Sequence, residues 1–148
     1  MLDEFFWHDA LPTDAVRMGH VKTGVWSHTL QFDVTYKTNK SRDYEVAESG
    51  LYSNVSYDID LSAEALDLRR GEYVTDIRFE FENVPAGFRE TTGPSVYVTT
   101  MADLATGYRI INRTDVGGCK NGKWAVDKDT WITVVWAKER GDLPKTGV

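Results

Sequence analysis

The sequence predicts an all-β domain, an antiparallel β-sandwich of Ig-like or jelly-roll-like type with one short helix. Three observations point there. Apolar and polar residues alternate with a period of two in several short runs, as half-buried strands require. Gly, Pro, Asn and Asp punctuate those runs at close intervals. Only one stretch, beginning at Ser62, carries a helix start signal.

Taken in order, Leu2 to Trp7 places Phe5, Phe6 and Trp7 together and reads as a short buried strand, broken by His8-Asp9-Ala10-Leu11-Pro12. Strand pattern resumes from Val21 to Trp26. Leu30, Phe32, Val34 and Tyr36 then alternate with Gln31, Asp33, Thr35 and Lys37, the clearest half-buried strand in the chain. Asn39-Lys40-Ser41 supplies a turn, after which Tyr44 and Val46 continue the pattern.

Val55, Tyr57, Ile59 and Leu61 predict another strand, with Asp58 and Asp60 on its solvent face. Ser62 is an N-cap for a brief helix through Ala63-Glu64-Ala65-Leu66, released at Gly71. Ile77, Phe79 and Phe81 form a long strand ending at Pro85-Ala86-Gly87, a type II turn composition. Phe32, Val34, Ile59, Phe79 and Phe81 should therefore share one core. Patterned runs follow at Val96–Thr100, Tyr108–Asn112 and Lys123–Trp136, with a tight turn at Asn121-Gly122. Asp127-Lys128-Asp129 predicts a hairpin or bulge inside the last run. The total is about eight to ten strands. No linker or repeat divides them, so residues 1–138 form one domain and 139–148 a polar tail.

At 148 residues the chain can bury a core without staples. Its 41% hydrophobic and 27% charged residues are ordinary for a globular protein. A net charge of −6 argues against nucleic acid and gives no support for anionic membranes. No apolar run approaches the roughly 18 residues of a spanning helix. Cys119 is the sole cysteine, so neither an internal disulfide nor a thiolate metal cluster can form.

No catalytic constellation stands out. His8, His20 and His28 share no ligand spacing, and neither a nucleophile elbow nor a G-x-G-x-x-G is present. The expectation is a non-enzymatic protein without cofactor or metal. Asp58 and Asp60 share a strand face, but a flat strand seldom supplies the six to eight oxygens of a calcium site. Among the five tryptophans, Trp26, Trp131 and Trp136 are candidates for an aromatic platform that stacks sugar rings, against the alternative that they fill the core. Trp131 and Trp136 have opposite parity, so on a regular strand one of them faces outward.

The most specific signal is Leu143-Pro144-Lys145-Thr146-Gly147. Pro144 lacks an N–H and biases Leu143 towards an extended backbone, so an enzyme groove can take the segment up already extended. It resembles the L-P-x-T-G signal that sortases recognise on Gram-positive bacteria. A complete signal continues into an apolar span and a basic tail, whereas this sequence stops at Val148. A native signal in a shortened chain and a motif appended for ligation both account for that.

Asp9-Ala10-Leu11-Pro12, the run from Asn112 to Gly118 and Gly122-Lys123-Trp124 together resemble the wall-proximal sandwich of pilin-like and adhesin repeat proteins. The resemblance implies an extracellular stalk or adhesive module bound covalently to the cell wall. Its partners would be sortase, peptidoglycan, and a host glycan or matrix protein. In such sandwiches a lysine and an asparagine can join spontaneously, and Lys22 and Asn112 are the candidates here. That bond needs a desolvated lysine and a protonated carboxyl, and the sequence assigns no acid to the role. In those repeats the D-x-L-P element follows earlier strands. The expectation is therefore an uncovered Leu2–Trp7 strand that pairs with a second copy, or is capped by a tail segment folding back.

Overall fold

The computed structural model describes residues 2–101, 109–120 and 122–134, the last strand in part by its backbone alone. Among these residues the chain is all-β. The strands are β1 Glu4–Ala10, β2 Val16–Lys22, β3 Val25–Trp26, β4 Gln31–Thr38, β5 Glu45–Tyr52, β6 Asp58–Asp60, β7 Val74–Phe81, β8 Glu90–Thr92, β9 Ser95–Thr100, β10 Arg109–Lys120 and β11 Lys123–Val134. A six-stranded antiparallel sheet runs β11-β10-β1-β7-β4-β5. A three-stranded sheet, β6-β2-β9, and a two-stranded one, β3-β8, complete the sandwich.

Parity sets the core. Phe5, Trp7, Phe32, Val34, Tyr36, Ile77, Phe79 and Phe81 project from one face of the large sheet, and Met18, Val21, Trp26 and Ile59 meet them from the smaller sheets. Phe32, Val34, Ile59, Phe79 and Phe81 are all buried together, as their alternation predicts. Their rings interlock. Trp7 lies 4.4 Å from Phe79, Phe32 stacks on Phe81 at 5.0 Å, and Phe81 meets Phe88 edge-on at 5.1 Å.

Several boundaries differ from the sequence expectation. β1 runs through His8 and Asp9 to Ala10, because Pro12 stops the ladder only once Leu11 has donated to the Thr75 carbonyl. The expectation of an uncovered first strand is corrected: β1 pairs with β10 on one side and β7 on the other. No open backbone edge is left at Leu2–Trp7 for a second copy to join, which removes the reason for a dimer there. The Asp127-Lys128-Asp129 run makes no break, and β11 stays in register with β10 from Lys123 to Val134. β11 lies at the edge of the sheet, where charged side chains are tolerated.

The expected helix is a single turn. Ser62 caps it as predicted, its Oγ accepting from Ala65 N. Leu68 N then donates to the Ala63 carbonyl and Asp67 N to that of Glu64, with Asp67 at a φ of 52°. This is the bonding of a Schellman stop with an aspartate in the left-handed position, and it closes the helix as soon as it begins. Pro85-Ala86-Gly87 forms the expected turn, Gly87 taking a φ of 81° as Phe88 N bonds the Pro85 carbonyl.

Gly118 is required by close approach. A Cβ on Gly118 would sit 2.6 Å from Leu2 Cδ1 and 2.8 Å from the Glu4 carbonyl oxygen, so only glycine lets β10 meet the start of β1. The aromatic core makes a direct prediction. Phe79→Ala should cost about 3–5 kcal/mol in urea unfolding, whereas Val46→Ala, on the exposed part of β5, should stay within about 0.5 kcal/mol.

Candidate functional site

The two faces of β1 carry different chemistry. Because side chains alternate, Trp7 and Asp9 enter the core while Phe6 and His8 lie on the outer face. Register brings Asp115 of β10 and Arg78 of β7 opposite His8. His8 Nε2 lies 2.7 Å from Asp76 Oδ2, and Nδ1 bonds the Asp115 carboxylate. An imidazolium can donate from both nitrogens, whereas a neutral ring can donate from only one. The arrangement therefore suits a charged His8 that staples three adjacent strands.

Surrounding groups complete the patch. Thr75 Oγ1 donates to Asp76 Oδ1 at 2.7 Å. The Arg78 guanidinium lies over the Phe6 ring at 4.4 Å and the Tyr44 ring at 5.1 Å. Burial, followed by the Asp76 charge, pushes the Tyr44 hydroxyl up to about 12. Both His8 nitrogens are committed to carboxylates, so the ring offers no free base to a nucleophile.

Directly behind it, Asn112 Nδ2 donates to Asp9 Oδ2 at 3.0 Å, linking β10 to β1 on the core side. Among the described residues, Asp9 Oδ1 and Asn112 Oδ1 are buried without a hydrogen-bond partner. Burial lifts the Asp9 carboxyl to about 6, against the Asn112 hydrogen bond and the His8 charge, which lower it. Protonation turns one of the two orphaned acceptors into a donor.

The structure disposes the sequence candidates differently. Asn112 does meet a carboxyl of raised pKa, and Asp9 is the acid that sequence could not assign. Lys22 does not join them. It is exposed at the end of β2, in the other sheet, with Nζ 5.6 Å from the Tyr97 ring centroid. A solvated lysine there cannot be the desolvated nucleophile, which corrects the Lys22–Asn112 pairing. Trp26 is corrected as a sugar platform: it is 3% exposed, stacked on Phe88, with Nε1 donating to the Thr23 carbonyl.

Among the described residues Trp124 is instead the open indole, 56% exposed and 6.3 Å from Phe6. The Trp131 side chain, Trp136 and the Leu143–Gly147 motif lie outside the described residues. Asp58 and Asp60 point to solvent, Asp58 pairing with His20 and Asp60 Oδ1 accepting from Ser62 N. Among the described residues no group of three or more His, Cys, Asp or Glu is placed to hold a metal ion.

Sequence reasoning missed His8, Asp76 and Asp115 as a unit because they stand 68 and 107 positions apart. Comparison with protein-family models, with characterised proteins and with solved structures found no match.

These groups make the stability of the fold depend on pH. Burial works against a charged His8, but the hydrogen bonds and charges of Asp76 and Asp115 outweigh it and raise its pKa. Its contribution is therefore fully present below about pH 6.5 and lost as pH rises through the raised value. Asp9 is also raised, so its contribution declines from about pH 4 to 6. Asp76 is lowered, burial opposing but His8 and Thr75 prevailing, so its contribution is lost only as pH falls below about 4. Stability should peak near about pH 4, fall first as pH rises to about 6, and fall again towards pH 8. Asp9→Asn should flatten the first descent, worth on the order of 2–3 kcal/mol, and His8→Gln the second. Urea midpoints measured across pH 3 to 9 check both.

Proposed function

We propose that the chain is the wall-proximal β-sandwich domain of a sortase-anchored surface protein of Gram-positive bacteria. It acts outside the cell as a stalk or adhesive module. The observation that carries this reading is Leu143-Pro144-Lys145-Thr146-Gly147, placed beyond β11, which ends at Val134. In this role the chain is a substrate and not a catalyst. A sortase cysteine attacks the Thr146 carbonyl, the Thr146–Gly147 bond breaks, and the amine of Gly147 leaves with a proton. An amine of the wall peptide then attacks the thioester and takes over the Thr146 acyl group. Gly147 has no side chain to obstruct the first attack, and Pro144, which lacks an N–H, is incompatible with a helix interior or a central strand.

The reading predicts cleavage between Thr146 and Gly147. Incubation with a sortase specific for this motif and a glycine-based amine should replace Gly147-Val148 with the nucleophile, as read by mass. An unchanged mass, with a control peptide ligated in the same tube, would refute it. Pro144→Ala should slow the reaction.

A second reading, a carbohydrate-binding module, rests on one observation: the exposed Trp124 beside Phe6. The two rings are inclined at 47°, so they do not form one flat platform. A glycan array separates the readings. A glycan retained by the wild type and lost by Trp124→Ala supports the sugar site, and no retained glycan removes it.

A further inference from the structure

The topology of the large sheet bears on how the domain would carry load. β1 opens the described chain, β10 and β11 close it, and all three lie side by side. β10 is antiparallel to both, so β1 and β11 run in the same direction. Glu4 stands opposite Cys119, which stands opposite Trp124, and these residues mark one end of the three strands. Val134, opposite Arg109, lies at the other end. A pull that enters ahead of Glu4 and leaves after Val134 therefore draws β1 and β11 in opposite directions along their own axes.

We propose that the β1–β10 seam is a shear clamp, in which such a force loads all the rungs between Glu4 and Ala10 together while side-chain links on both faces resist sliding. The load direction rests on the wall-anchor reading above, in which Thr146 becomes the fixed point. The clamp itself rests on the ladder.

Three features single out this seam. β10 joins β11 over twelve register pairs but joins β1 over seven, so the shorter ladder yields first. β1 is the one strand outside the hairpin with which β10 pairs among the described residues. Two links then cross it back to back: Asn112 to Asp9 within the core, and Asp115 to His8 on the outer face. Sliding by one residue would turn His8 towards the core and Asp9 out of it, so both links must break before the strands can move. Asp3 N also donates to the Cys119 carbonyl at 2.7 Å and fastens the entry end.

Geometry supplies an internal control. Glu4 and Cys119 are partners, so pulling at the N-terminus and near position 119 opens the seam one rung at a time. Single-molecule force spectroscopy on the full chain, at one pulling speed, compares the two directions. One form carries handles at both termini. The other carries an N-terminal handle and a thiol handle at the exposed position 120, made with Lys120→Cys in a Cys119→Ser background.

The terminal pull should need a several-fold larger unfolding force. The double variant His8→Gln with Asn112→Ala should lower that force. Thr35→Ala, which removes a β4–β7 link to Glu80 outside the load path, should leave it unchanged. Equal forces in the two directions would overturn the clamp, as would a loss from Thr35→Ala matching that of the seam variant. Sortase cleavage and the force comparison can fail independently: an uncleaved tail refutes the anchor, and equal forces refute the clamp.

Discussion

Everything in this fold passes through β1, a strand that must satisfy two neighbours and two faces at once. Its rungs to β7 attach it to the part of the sheet that carries the core, and its rungs to β10 attach the closing hairpin. Its side chains alternate between an aromatic interior and a polar exterior. Phe5 and Trp7 join the ring cluster, and Phe6 and His8 build the outer patch. A strand in this position cannot be uniformly apolar. Asp9 shows the cost: a carboxyl in the core keeps its place only by taking the Asn112 hydrogen bond and favouring the protonated form.

The legible part of the sequence was the part governed by a local period. Phe32, Val34 and Tyr36 fix β4, and Ile77, Phe79 and Phe81 fix β7, because one buried face imposes alternation whatever the partner is. The turn at Pro85-Ala86-Gly87 was legible for a similar reason, since a positive φ at its third residue asks for glycine. The apolar period reveals β2 only from Val21, although the strand begins at Val16. Its bulge between Met18 and His20 breaks the period that would have revealed it.

What could not be read was decided by pairing. His8 alone looks like a solvated histidine, and nothing near it in sequence names Asp76 or Asp115. Those two come beside it only because β7 and β10 flank β1. The helix from Ser62 failed differently. Its start signal was sound, but Asp67 adopts the left-handed conformation and supplies an early stop where glycine is the usual residue. In β11 the charged run Asp127-Lys128-Asp129 reads as a break, yet an edge strand can carry such residues without losing its ladder.

The charged staple on the outer face is better understood as a device of register than as a store of stability. Removing a carboxylate and an imidazole from water is costly, and although the attraction of Asp76 and Asp115 outweighs the burial of His8, that cost leaves only a modest net gain. Geometry gives the staple its value. His8 reaches Asp76 and Asp115 only when β7, β1 and β10 are aligned as observed, and Asn112 reaches Asp9 only in that same alignment. The aromatic cluster by itself favours any arrangement that buries its rings, and a shift of two residues would keep every side chain on its proper face. Such a shift would strand two carboxylates and a histidine without partners and would press Gly118, the residue that admits Leu2 and Glu4, out of its place. Polar contacts thus exclude the slipped sheets that hydrophobic parity alone would accept.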